Sequence, residues 1–365
     1  MSNVELSSSF ELQFDRFLWP KTVTRQAICL APSTVEITKF EDCAEPGQPF
    51  TQPEYDPATR RVTYRLARGE RLAPATQYRL TVFANATTES AGFLAFDGAP
   101  LGRSYTFDFV TNADATSSVD EPSPSAERYC AAQACAKSCS ATRKQCRAAC
   151  TSTCAGEPTE EARAACESAC RTSCDEAART CKAPCECLDG PECAEDGDLI
   201  GEKPYLFRGC GFSPCHATST NPEPRFAAPA PMGLDLSSPG AVAATAIGVT
   251  ARLSQHGEAA ALPDRSGNRF GRAMPLIDPS NPGNSFLLYK LIINARNYEA
   301  PSLGGGDDEF MRLRSGAIAG MPMPAALGPD TNQLGPDARE SERELRIISA
   351  WIAAGAVLEC PPGPN

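Results

Sequence analysis

The sequence predicts a multidomain chain: a β-sandwich, then an αα-hairpin laddered by disulfides, then a mostly α and irregular third section. Three observations lead there. Short runs of alternating apolar and polar residues recur up to residue 112, and such alternation marks half-buried strands. Ten cysteines between Cys135 and Cys185 form a palindrome. After residue 187, loops rich in Gly and Pro separate a few helical patterns. The expected boundaries are 8–112 for the sandwich, 113–127 for a linker, 128–187 for the hairpin and 188–360 for the third section.

The strands come first. "ELQFDRF" sets Leu12 and Phe14 against Gln13 and Asp15. "RVTYRL" puts Val62, Tyr64 and Leu66 on one face, "YRLTVF" does so with Tyr78, Leu80 and Val82, and "YTFDFVT" with Tyr105, Phe107 and Phe109. Turns of Pro, Gly and Asp separate these runs, as in an antiparallel sandwich. Cys29 and Cys43 are the only cysteines here and are expected to pair. The segments "FDRFLWPKTVT", "LAPATQYRLTVF", "AFDGAPL" and "YTFDFVT" resemble the bacterial Ig-like domain of surface-layer and secreted proteins. That resemblance covers about a hundred residues and its motifs are structural. It implies a spacer or adhesive module and carries no catalytic residues. The stretch "ADATSSVDEPSPSAE" that follows is small, polar and Pro-containing, as linkers are.

In the hairpin section, cysteines stand at 135, 139, 146, 150 and 154, then at 166, 170, 174, 181 and 185, mirrored about residue 160. On a helix the first five fall within an arc of about 100°, and mirror spacing gives the second five the same arc. "AGEP" breaks the chain between them. Thr159 is a candidate cap for the second helix, Glu160 and Glu161 suit its first turn, and Pro184 ends it. The predicted rungs are Cys135–Cys185, Cys139–Cys181, Cys146–Cys174, Cys150–Cys170 and Cys154–Cys166. A disulfide brings Cα atoms within about 7 Å, closer than ordinary helix packing, so neighbours must be small. Ala131, Ala132, Ala134, Ala148, Ala149, Ala164 and Ala165 are. The pattern resembles disulfide-linked helical hairpins built on paired C-x-x-x-C motifs. A metal cluster is the competing reading, but metal sites favour short C-x-x-C turns with histidine, and no histidine occurs here. The expected form is a rigid strut of about 40 Å, held by disulfides rather than by an apolar core.

In the third section, "SFLLYKLII" (Ser285 to Ile293) is a buried helix or strand. "SERELRIISAWIAAGA" (Ser341 to Ala356) is an amphipathic helix, with Leu345, Ile348 and Ile352 on one face and Trp351 in the core. Ser341 and Glu344 are a candidate capping box and Gly355 a candidate end.

"CGFSPCH", Cys210 to His216, raises the question of chemistry. Covalent haem attachment uses two thiols and an adjacent histidine, usually as C-x-x-C-H. Here four residues separate the cysteines. Downstream come "GLDLSS" (Gly233 to Ser238), "DPSNPGNSFLLYKL" (Asp278 to Leu291), "GMPMP" (Gly320 to Pro324) and "WIAAGA". Taken in order, these pieces resemble a planctomycete-type cytochrome c domain over about 150 residues. The resemblance implies one haem c bound by Cys210 and Cys215. It makes His216 the proximal iron ligand and Met323 the distal one, with Met321 the near alternative. It also implies single-electron transfer and a redox partner protein. The spacing departs from the usual motif, and a long insert, Ser254 to Gly271, carries the other histidine, His256.

Bland readings stand beside this one. Cys210 and Cys215 are also a simple disulfide, with His216 at the surface. Met321 and Met323 are also adaptable filler. His256, in "SQHGEAA", is also a solvated side chain. Asp307 and Asp308, in "GGGDDEF", are candidate cation ligands, but the expected reading is a flexible acidic loop, since adjacent carboxylates point apart. Under these readings the chain is a structural or adhesive surface protein, or a subunit of an envelope assembly or filament.

Composition bounds the rest. Eighteen cysteines in 365 residues imply an oxidising compartment: periplasm, outer membrane surface or medium. An export or lipoprotein signal is therefore expected outside this sequence. A net charge of −11 argues against nucleic acid or an anionic membrane as partner. No apolar run reaches the roughly 18 residues that read as a transmembrane helix. With two histidines, no Ser-His-Asp set and no phosphate loop, no enzymatic activity is expected. Cys130, Cys187, Cys193 and Cys360 are left with open pairings.

Overall fold

The structure is a computed structural model. It describes residues 4–38, 40–43, 49–84, 92–114, 116, 124–182, 185, 233–251, 274–293, 309, 312–313 and 338–360. The chain divides into two compact units. One joins residues 1–123 with 246–353, the other 124–245 with 354–365.

The first unit holds two three-stranded antiparallel sheets. The strands are β1 (Phe10–Gln13), β2 (Ile28–Pro32), β3 (Glu54–Asp56), β4 (Arg61–Tyr64), β5 (Gln77–Val82) and β6 (Tyr105–Val110). The sheet orders are β1-β4-β3 and β2-β5-β6. Register follows the apolar pattern: Leu12 lies opposite Val62, and Leu30 opposite Leu80. A one-residue slip would turn these side chains to the wrong face. Val62 and Tyr64 of one sheet and Ile28, Leu80, Val82 and Phe109 of the other belong to a single buried cluster. Each such side chain contributes about 1.5–3 kcal/mol. Tyr64 keeps its hydroxyl satisfied by donating to the Thr24 carbonyl at 2.9 Å.

β6 keeps the expected alternation, with Tyr105, Phe107 and Phe109 opposite Val82, Leu80 and Tyr78, but not the burial. Phe109 is buried, but Tyr105 and Phe107 are 39% and 48% exposed. β6 is an edge strand, and an edge position is decided by tertiary context rather than by the strand's own pattern.

The later segments of this unit build onto β3. The stretch that sequence leaves as helix or strand is a helix: Phe286–Ile292 lie in helical conformation, and all seven residues are buried. A short 3-10 turn, Pro282–Asn284, precedes it and fixes its start. Ser285 Oγ accepts from Asp278 N at 2.9 Å. Tyr289 donates from its hydroxyl to the Gly283 carbonyl at 2.7 Å. Lys290 is buried within this helix, and burial pushes its ammonium pKa down to about 8.

The C-terminal amphipathic helix spans Ala338–Ala353. It begins three residues before Ser341, so Ser341 lies inside the helix and is not its cap. Ala338, Arg339 and Glu340 are strong helix formers that extend it upstream. Leu345, Ile348, Trp351 and Ile352 are buried. Gly355 takes a φ of +100° just past the end, a conformation that favours glycine. Ser349 Oγ donates to Asp56 Oδ1 at 2.6 Å, which ties this helix to the end of β3. A second tie runs from Glu309. Its buried carboxylate accepts from Phe17 N at 3.1 Å and pairs with Arg16 Nε at 3.1 Å. Among the described residues, no helix is long and apolar enough to cross a membrane.

In the second unit a short helix, Pro239–Thr245, follows Leu234 and Leu236. Leu236 and Val242 are fully buried, and Ser238 Oγ accepts from Ala241 N at 3.2 Å as its cap. The other helices of this unit form the candidate site. Among the described residues, the named helices in chain order are α1 (Ala126–Thr153), α2 (Glu160–Lys182), α3 (Pro239–Thr245), α4 (Phe286–Ile292) and α5 (Ala338–Ala353).

Candidate functional site: a ladder of five disulfides

α1 has 28 residues and α2 has 23. At 1.5 Å per residue they run about 42 Å and about 35 Å. Ser125 caps α1 by accepting from Arg128 N at 3.3 Å. Thr159 caps α2 by accepting from Ala162 N at 3.1 Å, with Glu160 and Glu161 against its positive end.

Four disulfides join the two helices, Cys139–Cys181, Cys146–Cys174, Cys150–Cys170 and Cys154–Cys166, and a fifth, Cys135–Cys185, ties α1 to a residue just past the end of α2. Their Cα separations are 5.7 to 5.8 Å. Ordinary helix pairs keep their axes about 8–10 Å apart, and ridges of large side chains would block this approach. Ala132, Ala136 and Ala178 are buried small residues on these helices, and Tyr129 and Gln133 are buried near the start of α1. Of the alanines singled out in the sequence, only Ala132 is buried. Ala131, Ala134, Ala148, Ala149, Ala164 and Ala165 lie on exposed flanks.

Between Cys139 and Cys146 the ladder skips one rung. Near that gap Asp175 accepts from Arg143 Nε at 2.8 Å and pairs with Arg147 Nε at 3.1 Å. These guanidiniums, the Arg143 hydrogen bond above all, hold the Asp175 carboxyl below its usual range. The pairs are solvent-facing and contribute little to stability.

Among the described residues, two further disulfides are present. Cys29–Cys43 closes the rim of β2 in the first unit. Cys130–Cys360 ties the last described residue to the start of α1 across 230 positions. Sequence reasoning left that pair open, because nothing local signals a partner so distant.

Two groups of three sulfurs lie within 4.8 Å of one another: Cys135, Cys139 and Cys185, and Cys150, Cys170 and Cys174. All six are already in disulfides. A disulfide sulfur is not a thiolate, and thiolate is the metal ligand. As built, these groups are covalent braces. The haem-ligand candidates Cys210, Cys215, His216, Met321 and Met323 lie outside the described residues. So do His256, Asp307, Asp308, Cys187 and Cys193.

No protein family matches the chain, and no curated protein matches it. Two solved structures are similar in part. One is the N-terminal part of the bacterial S-layer protein SbsC, at TM-score 0.21 and 14% identity. It covers 30% of this chain and 22% of that one. The other is the S-layer protein rSbsC(31-844), also at TM-score 0.21 and 14% identity, covering 34% of this chain and 13% of that one. This chain thus spans less than a quarter of either neighbour. A likeness this slight assigns neither fold nor function.

Proposed function

We propose that this is an exported structural protein of the bacterial cell surface, in which the hairpin is a covalent strut and the two-sheet unit a spacer or adhesive module. The observation that carries the proposal is the five-rung ladder. Disulfides at this density form and persist outside the cytosol. They hold two long helices that bury few apolar side chains: in α1 the buried residues are Tyr129, Ala132, Gln133, Ala136, Cys139 and Cys150. Such an element does not hold a ligand pocket. It holds a distance. The Ig-like resemblance of the first hundred residues supports the same reading, because such domains act as spacers and adhesive modules.

The competing reading places haem c on Cys210 and Cys215, with His216 and Met323 on the iron. The test is direct. Protein produced in a host that attaches haem is expected to be colourless, with Cys210 joined to Cys215. A red protein with a Soret band and a haem-bearing peptide containing both cysteines would overturn the proposal. His216→Ala separates the cases again, since it abolishes low-spin iron only in a haem protein.

A further inference from the structure

We infer that the Cys146–Cys174 rung is a thiol-exchange site, which a small anionic thiol such as glutathione opens at Cys146 and which then passes the opening to the Cys150–Cys170 rung. The inference is independent of whether the protein serves as a strut.

Exchange requires a thiolate to reach one sulfur of a disulfide and a leaving sulfur able to depart as thiolate. The five rungs differ in access. Cys146 is exposed, whereas its partner Cys174 is 2% exposed. An external thiol therefore reaches this rung from one side; the Cys139–Cys181 rung is open in the same way at Cys181, with Cys139 3% exposed, so it is the charge around Cys146–Cys174 that distinguishes the two. The two rungs nearer the interhelical turn offer no such entry on α1: Cys150 and Cys154 are fully buried.

The surroundings favour the chemistry. Arg143 and Arg147 both pair with Asp175, the residue next to Cys174, and Arg179 adds a third guanidinium acting on the same carboxylate. Three positive groups against one negative one draw an anionic thiol to the rung. They also stabilise the thiolate that leaves.

The geometry gives that thiolate a target. Cys174 Sγ lies 3.8 Å from Cys150 Sγ, close to van der Waals contact. Cys150, Cys170 and Cys174 form one of the two groups whose sulfurs all lie within 4.8 Å. In the first step the glutathione thiolate bonds to Cys146 Sγ, the Cys146–Cys174 bond breaks, and Cys174 leaves as thiolate. In the second step Cys174 bonds to Cys150 Sγ, the Cys150–Cys170 bond breaks, and Cys170 leaves as thiolate. The number of disulfides is unchanged and no other oxidant or reductant is consumed. The product carries glutathione on Cys146, a Cys150–Cys174 bond displaced by one helical turn, and a free thiol at Cys170.

The experiment uses the oxidised full-length chain. It is treated with one equivalent of reduced glutathione in mildly alkaline buffer and quenched in acid. Free thiols are then blocked with a maleimide under denaturing conditions, and the peptides are mapped without reduction. The expected map has glutathione on Cys146, a Cys150–Cys174 crosslink and maleimide on Cys170. Maleimide on Cys174 with Cys150–Cys170 intact would overturn the inference, as would glutathione entering first at another rung. Cys146→Ser gives a second reading that needs no glutathione, because it leaves Cys174 without its partner. The maleimide is then expected to divide between Cys174 and Cys170. In the control Cys154→Ser it stays on Cys166, whose rung belongs to neither sulfur group. Label confined to Cys174 in Cys146→Ser contradicts the inference.

Discussion

Full reduction of the protein is expected to unfold the hairpin and leave the two-sheet unit folded. The reason is a difference in what holds each part. In the chain-entropy picture a crosslink that closes a loop of about 15 residues is worth about 3 kcal/mol. The ladder is nested, so each rung after the innermost closes only a short further loop. Five such closures at about 2–3 kcal/mol each amount to roughly 10–15 kcal/mol, comparable to the whole stability of a domain. α1 and α2 have little apolar burial to replace that. The first unit depends on Cys29–Cys43 alone, a separation of 14 residues. Its apolar core, with Phe50, Tyr64, Val62 and Phe93 almost wholly buried, remains after reduction.

Two optical signals separate the outcomes. Among the described residues, α1 and α2 hold 28 and 23 helical residues, against 7, 7 and 16 in α3, α4 and α5. The far-ultraviolet helical signal is therefore expected to fall by more than half on reduction. Both tryptophans, Trp19 and Trp351, belong to the first unit. Their fluorescence is expected to stay native and to unfold cooperatively at higher denaturant. Helical signal that survives reduction would show that the hairpin holds itself together by packing.

The second large effect is expected at Gly283. An added Cβ there would lie 2.6 Å from Tyr55 Cδ1 and 3.1 Å from the Tyr55 carbonyl oxygen. Neither side can yield cheaply. Tyr55 is buried, and its hydroxyl accepts from Leu18 N at 2.9 Å. The Gly283 carbonyl is held by Tyr289. Overpacking of this kind costs about 1–3 kcal/mol, and loss of the buried Tyr289 bond adds about 1 kcal/mol more. Gly283→Ala is thus expected to lower the denaturant midpoint of the tryptophan transition by an amount equal to about 3 kcal/mol, with an unchanged slope. Gly102→Ala is the control in the same unit, since a Cβ there meets nothing within 4 Å. Equal midpoints for the two variants would mean that the turn does not bear on β3 as described.

The hairpin's pairing is carried by cysteine spacing, and the reason is physical. In the register centred on residue 160 all five pairs face each other. Slipping one helix by a turn in either direction leaves only three, because the wider gap between Cys139 and Cys146 breaks the repeat. That gap specifies the register against its nearest competitors. Strand alternation was equally legible where both neighbours exist, as at Val62 and Tyr64 or Leu80 and Val82. At Tyr105 and Phe107 it gives the face but not the burial, because burial on an edge strand is set by what else covers it. The contacts of Glu309 with Phe17 and of Ser349 with Asp56 join residues 292 and 293 positions apart, and no local pattern encodes them. The run from Ser285 to Ile293 showed its burial through composition but not its type. An all-apolar segment of that length fits a helix or a strand, and the Pro282–Asn284 turn decides it. For the cofactor reading, sequence order alone speaks, since Cys210, Cys215, His216, Met321 and Met323 lie outside the described residues.

The most direct test of the structural reading is non-reducing peptide mapping of the native protein, taken from the surface and medium fractions of its own cells. The expected result is recovery in those fractions with all five rungs closed, Cys135–Cys185 through Cys154–Cys166, together with Cys130–Cys360. Recovery in the cytosol with these cysteines as free thiols would contradict it.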